Sequence, residues 1–372
     1  MFTLLKQDKD TNARLGKIIT AHGGVDTPNF MPVGTSGTVK TLTPEEVKEA
    51  GIQIVLSNTY HLFLRPGEEV IKDAGGLHRF MNWDGPILTD SGGYQVFSLA
   101  QLRRIKDDGV EFQSHIDGSK HFFTPESVIE FQKILGSDIM MVLDECVHYP
   151  CEPDYAQRSL KLTMDWARRS KKAASKKPLA AGSQQLFGIV QGGTYLDLRK
   201  QAADELLEIG FDGYAIGGLS VGEPRELMHD VIGFTLPLLP EEKARYLMGV
   251  GTPADILEAV EKGVDMFDCV VPTRNGRNGT AFTSCGKVLI RNSRYIKDFS
   301  PVEEGCGCLC CKGYTRSYLH HLFSIDEILG LRLLSLHNLT FYAKLMQNIR
   351  VAIQKNKFTE FKKDFLSNYN IT

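Results

Sequence analysis

Three aspartates, Asp90, Asp144 and Asp268, each lie at the end of a short apolar run: PILTD at 86–90, IMMVLD at 139–144 and VDMFDCVV at 264–271. The third run breaks at Pro272 and passes into Thr273-Arg274-Asn275-Gly276-Arg277-Asn278-Gly279, a cationic glycine loop. A carboxylate held at a strand end, beside arginines on a loop able to wrap phosphates, suggests acid chemistry on a polyanion. Alternate side chains of a strand share a face, so Asp268 lies with Val264 and Met266 while Asp265 points the other way. Gln191 and the Gly217-Gly218 pair close two more apolar runs. A carboxylate, an amide and exposed backbone groups can together read the donor–acceptor edge of a planar base. Tyr94 follows Asp90-Ser91-Gly92-Gly93 and is either a ring for stacking on a base or a packed loop tyrosine. Asp-Ser-Gly-Gly also resembles a serine-protease motif, but no histidine stands in the companion context and the strand–helix rhythm is wrong for it.

A second chemistry is written in the cysteines. Of the eight, Cys306, Cys308, Cys310 and Cys311 crowd into six residues. In a reducing compartment such a cluster means metal more often than disulfides. Zinc takes four tetrahedral thiolate or imidazole ligands, and C-x-C-x-x-C supplies three of them. His337, 26 positions beyond Cys311 on a patterned helix, can close the site, with His320 and His321 as nearer rivals and Cys310 as a competing thiol. A site filled by four protein ligands is closed, and therefore structural.

The elements that position these groups repeat. Apolar runs at Thr27–Val33, Ile52–Asn58, Pro86–Asp90, Ile139–Asp144, Leu186–Gln191, Gly213–Gly218, Arg245–Gly249 and Met266–Val271 read as strands. Between them, Thr43-Pro44-Glu45, Thr124-Pro125-Glu126, Glu223-Pro224-Arg225 and Thr252-Pro253-Ala254 read as helix starts with a cap and a proline in the first turn. Eight strand–helix repeats predict an α/β chain folded as a (β/α)8 TIM barrel, whose C-terminal strand ends form the active-site mouth. The rival, an open doubly wound sheet, lacks a G-x-G-x-x-G after its first strand. Residues 91–123, with Asp117-Gly118 between β-like arms, predict an inserted hairpin. The organisation expected is a barrel and active site over 1–279, a C-terminal zinc-binding subdomain over 280–345 and a helical tail over 346–372 packing on the barrel.

The 372 residues carry a net charge of −2, so any nucleic-acid surface must be local. Arg158 to Lys177 holds eight Lys and Arg against one acid, Asp165, and reads as a solvated outer helix and linker. The Arg274–Arg277 segment is the better phosphate candidate, with Arg291, Arg294, Lys297, Lys312 and Arg316 around the cysteines as a possible extension. No apolar run reaches about 18 residues, and the N-terminus has no apolar signal region, so a cytoplasmic protein without a membrane span is expected.

Taken in order, TDSGGYQVFS at 89–98, MVLDEC at 141–146, IVQGG at 189–193, GYAIGGLSVGE at 213–223, YLMGVGTP at 246–253, DMFDCVVPTRNGRNG at 265–279 and the C-x-C-x-x-C…His pattern closely resemble the tRNA-guanine transglycosylases. The resemblance covers nearly the whole chain; the extra thiol, Cys310, is its one notable departure. It implies exchange of guanine at position 34 of tRNAs with a GUN anticodon. It implies Asp268 as nucleophile and Asp90 as proton acceptor and general acid/base. Asp144, Gln191, Gly218 and Leu219 would recognise the base, and Ser91, Gly92, Gly93, Tyr94, Cys146 and Met248 would line the pocket. Gly249, Val250, Gly251, Thr252, Pro253, Ala254 and Asp255, with Thr273, Arg274, Asn275, Gly276 and Arg277, would contact tRNA. The family spacing selects Cys306, Cys308, Cys311 and His337 for one structural Zn2+ per subunit. Val33 and Cys146 resemble the bacterial pocket type, which takes 7-aminomethyl-7-deazaguanine (preQ1), and the family implies a homodimer.

Overall fold

A computed structural model describes residues 1–99, 102–176 and 184–369. Eight parallel strands, β1 (Asn29–Pro32), β2 (Val55–Ser57), β3 (Ile87–Thr89), β4 (Ile139–Met141), β5 (Gln185–Val190), β6 (Gly213–Ile216), β7 (Ala244–Leu247) and β8 (Met266–Cys269), form one sheet. β8 pairs with β1, placing Asp268 opposite Met31, and the ring closes between β1 and β2 through the Val33–Leu56 bridge and a Gly34 N–H to Leu56 carbonyl bond of 2.6 Å. The α/β barrel expected from eight repeats is therefore present, and seven of the eight strands are shorter than their apolar runs; β5 has the same length as its run but starts and ends one residue earlier. The surplus residues, Asn58, Asp90, Asp144 and Gln191 among them, project beyond the ladder at the C-terminal rim. Every strand residue is buried, as in a parallel sheet with both faces covered.

The outer helices follow their local signals. Thr43 and Thr124 cap their helices in reciprocal boxes with Glu46 and Ser127, and the Thr252 hydroxyl accepts from the Asp255 N–H. The Glu223-Pro224-Arg225 signal behaves differently: the helix Arg225–Thr235 has no side-chain cap, because the Glu223 carboxylate turns back to accept the Ser220 and Val221 N–H groups. The basic run lies on the outer helix Pro153–Ser175, which buries Ala156, Leu160, Met164 and Ala167 and pairs Arg168 with Glu205 and Arg169 with Glu126. Lys177 lies outside the described residues.

Three additions surround the barrel. Before β1, an antiparallel sheet of Phe2–Gln7, Arg14–Thr20 and Gly23–Thr27 covers the N-terminal strand ends, an element that the sequence reading lacked. Its Arg14 guanidinium grips the fully buried Asp265 at 2.9 and 2.7 Å, which accounts for Asp265 facing away from Asp268. The insertion after β3 is a helix, Gly93–Leu99, followed by a three-stranded sheet of Arg103–Lys106, Gly109–Gln113 and Lys120–Phe123, one strand more than the expected hairpin. Its Val110, Phe112 and Phe123 pack with Tyr60, Val96 and Val128 in a core of their own. Third, Thr280–Thr283 and Gly286–Leu289 pair, and with the helices Leu309–Gly313 and Arg316–Ser324 enclose a small core of Ala281, Ile290, Val302, Leu319 and Phe323. The helix Ile328–Gln354 joins that core through Leu333 and Leu334, and the barrel core through Leu339, Tyr342, Leu345 and Ile349. No helix among the described residues is long and apolar enough to cross a membrane.

Candidate active site

At the C-terminal rim the two carboxylates of interest are held differently. Asp90, immediately after β3, is buried; Asn58 Nδ2 donates to its Oδ2 at 2.5 Å, and the Thr59 and Gly92 N–H groups donate to Oδ1 at 2.9 and 3.1 Å. Burial nonetheless pushes its pKa up to about 6, those bonds pulling against it and the Asp268 charge adding to the rise. Asp268 on β8 receives the Tyr246 hydroxyl at 2.6 Å and the Gly249 N–H at 2.8 Å, both on Oδ1. Among the described residues its Oδ2 accepts nothing. Burial raises this carboxyl too, against the two donors. Asn58, Thr59 and Tyr246 were not assigned roles from sequence, although Asn58 ends the second apolar run as Asp90 ends the third.

Asp144 lies two residues beyond Val142, on the same rim. Ser91 Oγ donates to its Oδ1 at 3.0 Å and Gln191 Nε2 to its Oδ2 at 2.7 Å, so the base-reading carboxylate and amide predicted from separate motifs are in contact. Ser91 in turn accepts the Gly93 N–H, and a Cβ on Gly93 would lie 2.5 Å from the Asp144 carbonyl oxygen. Gly218 has φ +65°, and a Cβ there would sit 2.3 Å from Gln191 Oε1, so the glycine makes room for the amide. Gln191 Oε1 is buried without a hydrogen-bond partner in the protein. Leu219 and Cys146 are buried beside this group, and Met248 is half-buried. Burial pushes the Cys146 thiol up to about 12, so it is a neutral wall and not a nucleophile. Glu145, next to Asp144 in the chain, is also buried and accepts a hydrogen bond from the Tyr155 hydroxyl. Tyr94 is 51% exposed, which removes the packed-tyrosine reading.

Burial also lifts Asp144 from 3.8 to about 6. The folded chain then holds a proton that the unfolded chain has lost, so this carboxyl's contribution to stability is full below about pH 4 and is lost as pH rises through about 6. At neutral pH the ionised buried group costs on the order of 3 kcal/mol. Asp144→Asn should therefore gain stability relative to wild type by about that amount between about pH 4 and pH 7, measured by urea unfolding at both values. A stability difference independent of pH would show that Asp144 titrates normally.

The cationic segment after Asp268 is a helix, Val271–Arg277, and not a phosphate-wrapping loop. Pro272 starts the helix instead of breaking the strand. Gly276 serves packing: a Cβ there would lie 2.7 Å from the Ser335 backbone nitrogen. Thr273 and Gly276 are buried, Asn275 and Arg277 are half-buried and Arg274 is exposed. In the 249–255 segment Gly249 is exposed, Val250, Gly251, Pro253 and Ala254 are buried, and the Asp255 carboxylate is engaged by Thr252 at 2.6 Å and Arg225 at 2.5 Å. Of the other basic residues, Arg291 pairs with Asp326 and Arg316 with Asp298.

The cysteine question resolves by geometry. His337 Nδ1 lies 3.8, 3.6 and 3.3 Å from the sulfurs of Cys306, Cys308 and Cys311, and all four atoms fall within 4.8 Å of one another. Ligands on one tetrahedral zinc stand about 3.6 Å apart for sulfur–nitrogen, so the donor set fits a metal ion. Nε2 of His337 bonds the Phe282 carbonyl at 2.8 Å, which turns Nδ1 toward the thiols. Cys310 is buried in the small apolar core, His320 is tied to the Ile290 carbonyl and His321 is exposed, so none of the three competes. A second grouping, His22, His78 and Asp138, sits at the opposite end of the barrel. Its rings stack at 3.6 Å and 19°, leaving their lone pairs in near-parallel planes that do not converge on one ion. Asp138 there anchors the start of β3 through the Ile87 N–H at 2.9 Å.

Comparison with known proteins agrees with this arrangement. Residues 8–371 match the family model described as queuine tRNA-ribosyltransferase. A queuine tRNA-ribosyltransferase of Caldanaerobacter subterraneus subsp. tengcongensis is 59% identical over 368 residues, covering 99% of this chain and 97% of the relative. That of Desulforamulus reducens is 58% identical over 365 residues, covering 98% and 97%. That of Symbiobacterium thermophilum is 55% identical over 367 residues, covering 99% and 91%. With identity above one half along nearly the entire length, on a closed barrel whose rim gathers the matching acids, this chain belongs to the queuine tRNA-ribosyltransferase family.

Proposed function

We propose that this protein is a tRNA-guanine transglycosylase, a pentosyltransferase that exchanges guanine-34 in the anticodons of GUN tRNAs (Asp, Asn, His and Tyr) for preQ1, a step in queuosine biosynthesis. The observation that carries this reading is the pairing at one rim of Asp268, one of whose oxygens accepts no hydrogen bond among the described residues, and Asp90, a buried carboxyl whose pKa is raised to about 6.

Asp268 Oδ2 attacks ribose C1′ of nucleotide 34 as the C1′–N9 bond breaks, while Tyr246 and Gly249 fix Oδ1 and spread the carboxylate charge. Asp90 gives its proton to the departing guanine, leaving a C1′–Oδ2 ester. The incoming base passes its N9 proton to the Asp90 carboxylate, its nitrogen attacks C1′, and Asp268 is released. Charge and protons balance without a redox cofactor or nucleotide triphosphate. Asp144, Gln191, Gly218 and Leu219 read the base, and Ser91, Gly92, Gly93, Tyr94, Cys146 and Met248 line its pocket. Unstacking the target base costs a few kcal/mol, offset by these contacts. Arg274 and Arg277 stand one helix turn apart directly after β8 and supply positive charge for the anticodon phosphates, with the 249–255 segment beside them.

Cys306, Cys308, Cys311 and His337 would hold one Zn2+ per subunit; with four protein ligands its contribution is structural. Large apolar side chains exposed around this module, Leu289, Ile296, Phe299, Ile325 and Ile328 among them, support a homodimer formed through this face. We place the enzyme in the cytoplasm with its tRNA substrate, and take the chain as a barrel over 1–279, a zinc subdomain over 280–345 and a helical tail.

The test is incorporation of labelled guanine into unmodified tRNA and, in parallel, into free guanosine. Exchange into tRNA alone is expected; exchange into guanosine at a comparable rate would make the protein a nucleoside base exchanger. Competition by preQ1 and by queuine then identifies the inserted base, with preQ1 expected to displace guanine at the lower concentration.

A further inference from the structure

Arg199, on the helix Leu196–Ile209, has a wholly buried guanidinium and no carboxylate within ion-pair distance among the described residues. It is spent on backbone carbonyls: Nε donates to Gly193 at 2.8 Å, Nη1 to Val190 at 2.7 Å and Gly217 at 2.8 Å, and Nη2 to Gly218 at 3.4 Å. Two of these carbonyls belong to the last residue of β5 and the rim after it, and two to the rim after β6, so one rigid fork ties together the segments that bear Gln191 and Gly218. A buried cation is costly unless every donor is satisfied, and a fork of fixed shape accepts only one arrangement of its acceptors.

The consequence falls on the next amides. In a trans peptide the C=O and N–H point opposite ways. With the Gly217 carbonyl drawn toward Arg199, the Gly218 N–H is turned away from it, and among the described residues it donates to no protein acceptor. Its neighbour across the rim is the Gln191 side chain, whose Nε2 meets Asp144. An unpaired backbone donor thus stands beside the amide and the carboxylate that face the base.

We propose that Arg199 is a positioning residue for base recognition: by pulling in the Gly217 and Gly218 carbonyls it presents the Gly218 N–H to the 6-oxo group of the purine or 7-deazapurine. Arg199 touches no substrate and acts only through the peptides that it holds. This rests on the base-exchange reading above. Lysine at 199 keeps the charge but offers a point donor, able to reach some carbonyls and not to hold all of them.

The experiment compares wild type with Arg199→Lys and Arg199→Gln by steady-state exchange, with guanine and 2-aminopurine, which lacks the oxo group, as competing bases. Absence of wild-type exchange would remove the base-exchange reading itself. Given an active wild type, Arg199→Lys should raise the KM for guanine about 10-fold or more while the KM for tRNA changes less than about twofold. Its preference for guanine over 2-aminopurine should fall at least about tenfold. An unchanged preference in a folded variant, or equal rises in both KM values, would overturn the proposal. Should both variants fail to fold, hydrogen exchange on the wild type decides: guanine must slow exchange of the Gly218 amide, and no slowing refutes the assignment.

Discussion

Asp268→Asn should leave a folded protein that forms no covalent adduct with tRNA and exchanges guanine at least about 10⁴-fold more slowly. Asparagine matches aspartate in shape, and its carbonyl oxygen can still accept the Tyr246 hydroxyl and the Gly249 N–H, so the β8 rim should keep its geometry. What disappears is the anionic Oδ2 that the ester requires. Removing the buried charge should not destabilise the barrel, since burial already disfavours the ionised form of this group. The check is denaturing electrophoresis of enzyme incubated with tRNA and a base analogue, beside a thermal unfolding curve. A retained adduct would move the nucleophile elsewhere, and Asp90 would be the next candidate.

Removing the metal should have the second largest effect, and on a different part of the chain. Protein purified without chelator should contain about one zinc per chain, because the three sulfurs and one imidazole nitrogen already stand at tetrahedral spacing. Stripping it, or replacing Cys308 with alanine, should open the segment from Thr280 to Ser324 to proteolysis. Its own core consists of few residues, and zinc binding in small modules supplies roughly 10 kcal/mol or more of folding free energy. The barrel should keep its circular dichroism, and the helix Ile328–Gln354 its C-terminal half, which packs on the barrel through Tyr342, Leu345 and Ile349. Metal analysis that finds no zinc would refute the assignment of the cluster. Loss of the whole fold on chelation would show that the small core and the barrel are one cooperative unit.

Much of the site was legible because its signals are local. A strand is a short apolar run, a rim residue is the polar one that ends it, and a zinc ligand set is a spacing of cysteines. From these alone Asp90, Asp144, Gln191 and Asp268 were picked out, and the barrel that gathers them followed from eight repetitions of one pattern. The cationic segment misled for a related reason. Two glycines and two asparagines within seven residues signal a loop, yet Val271–Arg277 is helical, because its glycine face lies against Ser335 on the long C-terminal helix. Tertiary contact outweighed propensity there.

The amino-acid sequence by itself thus determined the fold class, the acids and three of the candidate metal ligands, since each depends on neighbours in the chain. Only the tertiary structure decided how those groups are set. Asn58 and Thr59 reach Asp90 across 32 and 31 positions, Tyr246 reaches Asp268 across 22, and Arg14 holds Asp265 across 251. The choice of His337 over His320 and His321, the seclusion of Cys310 and the four-carbonyl grip of Arg199 are of the same kind. Hydrogen bonds and burial act through distance in space, and closing a barrel brings together side chains whose separation along the chain carries no sign of the meeting.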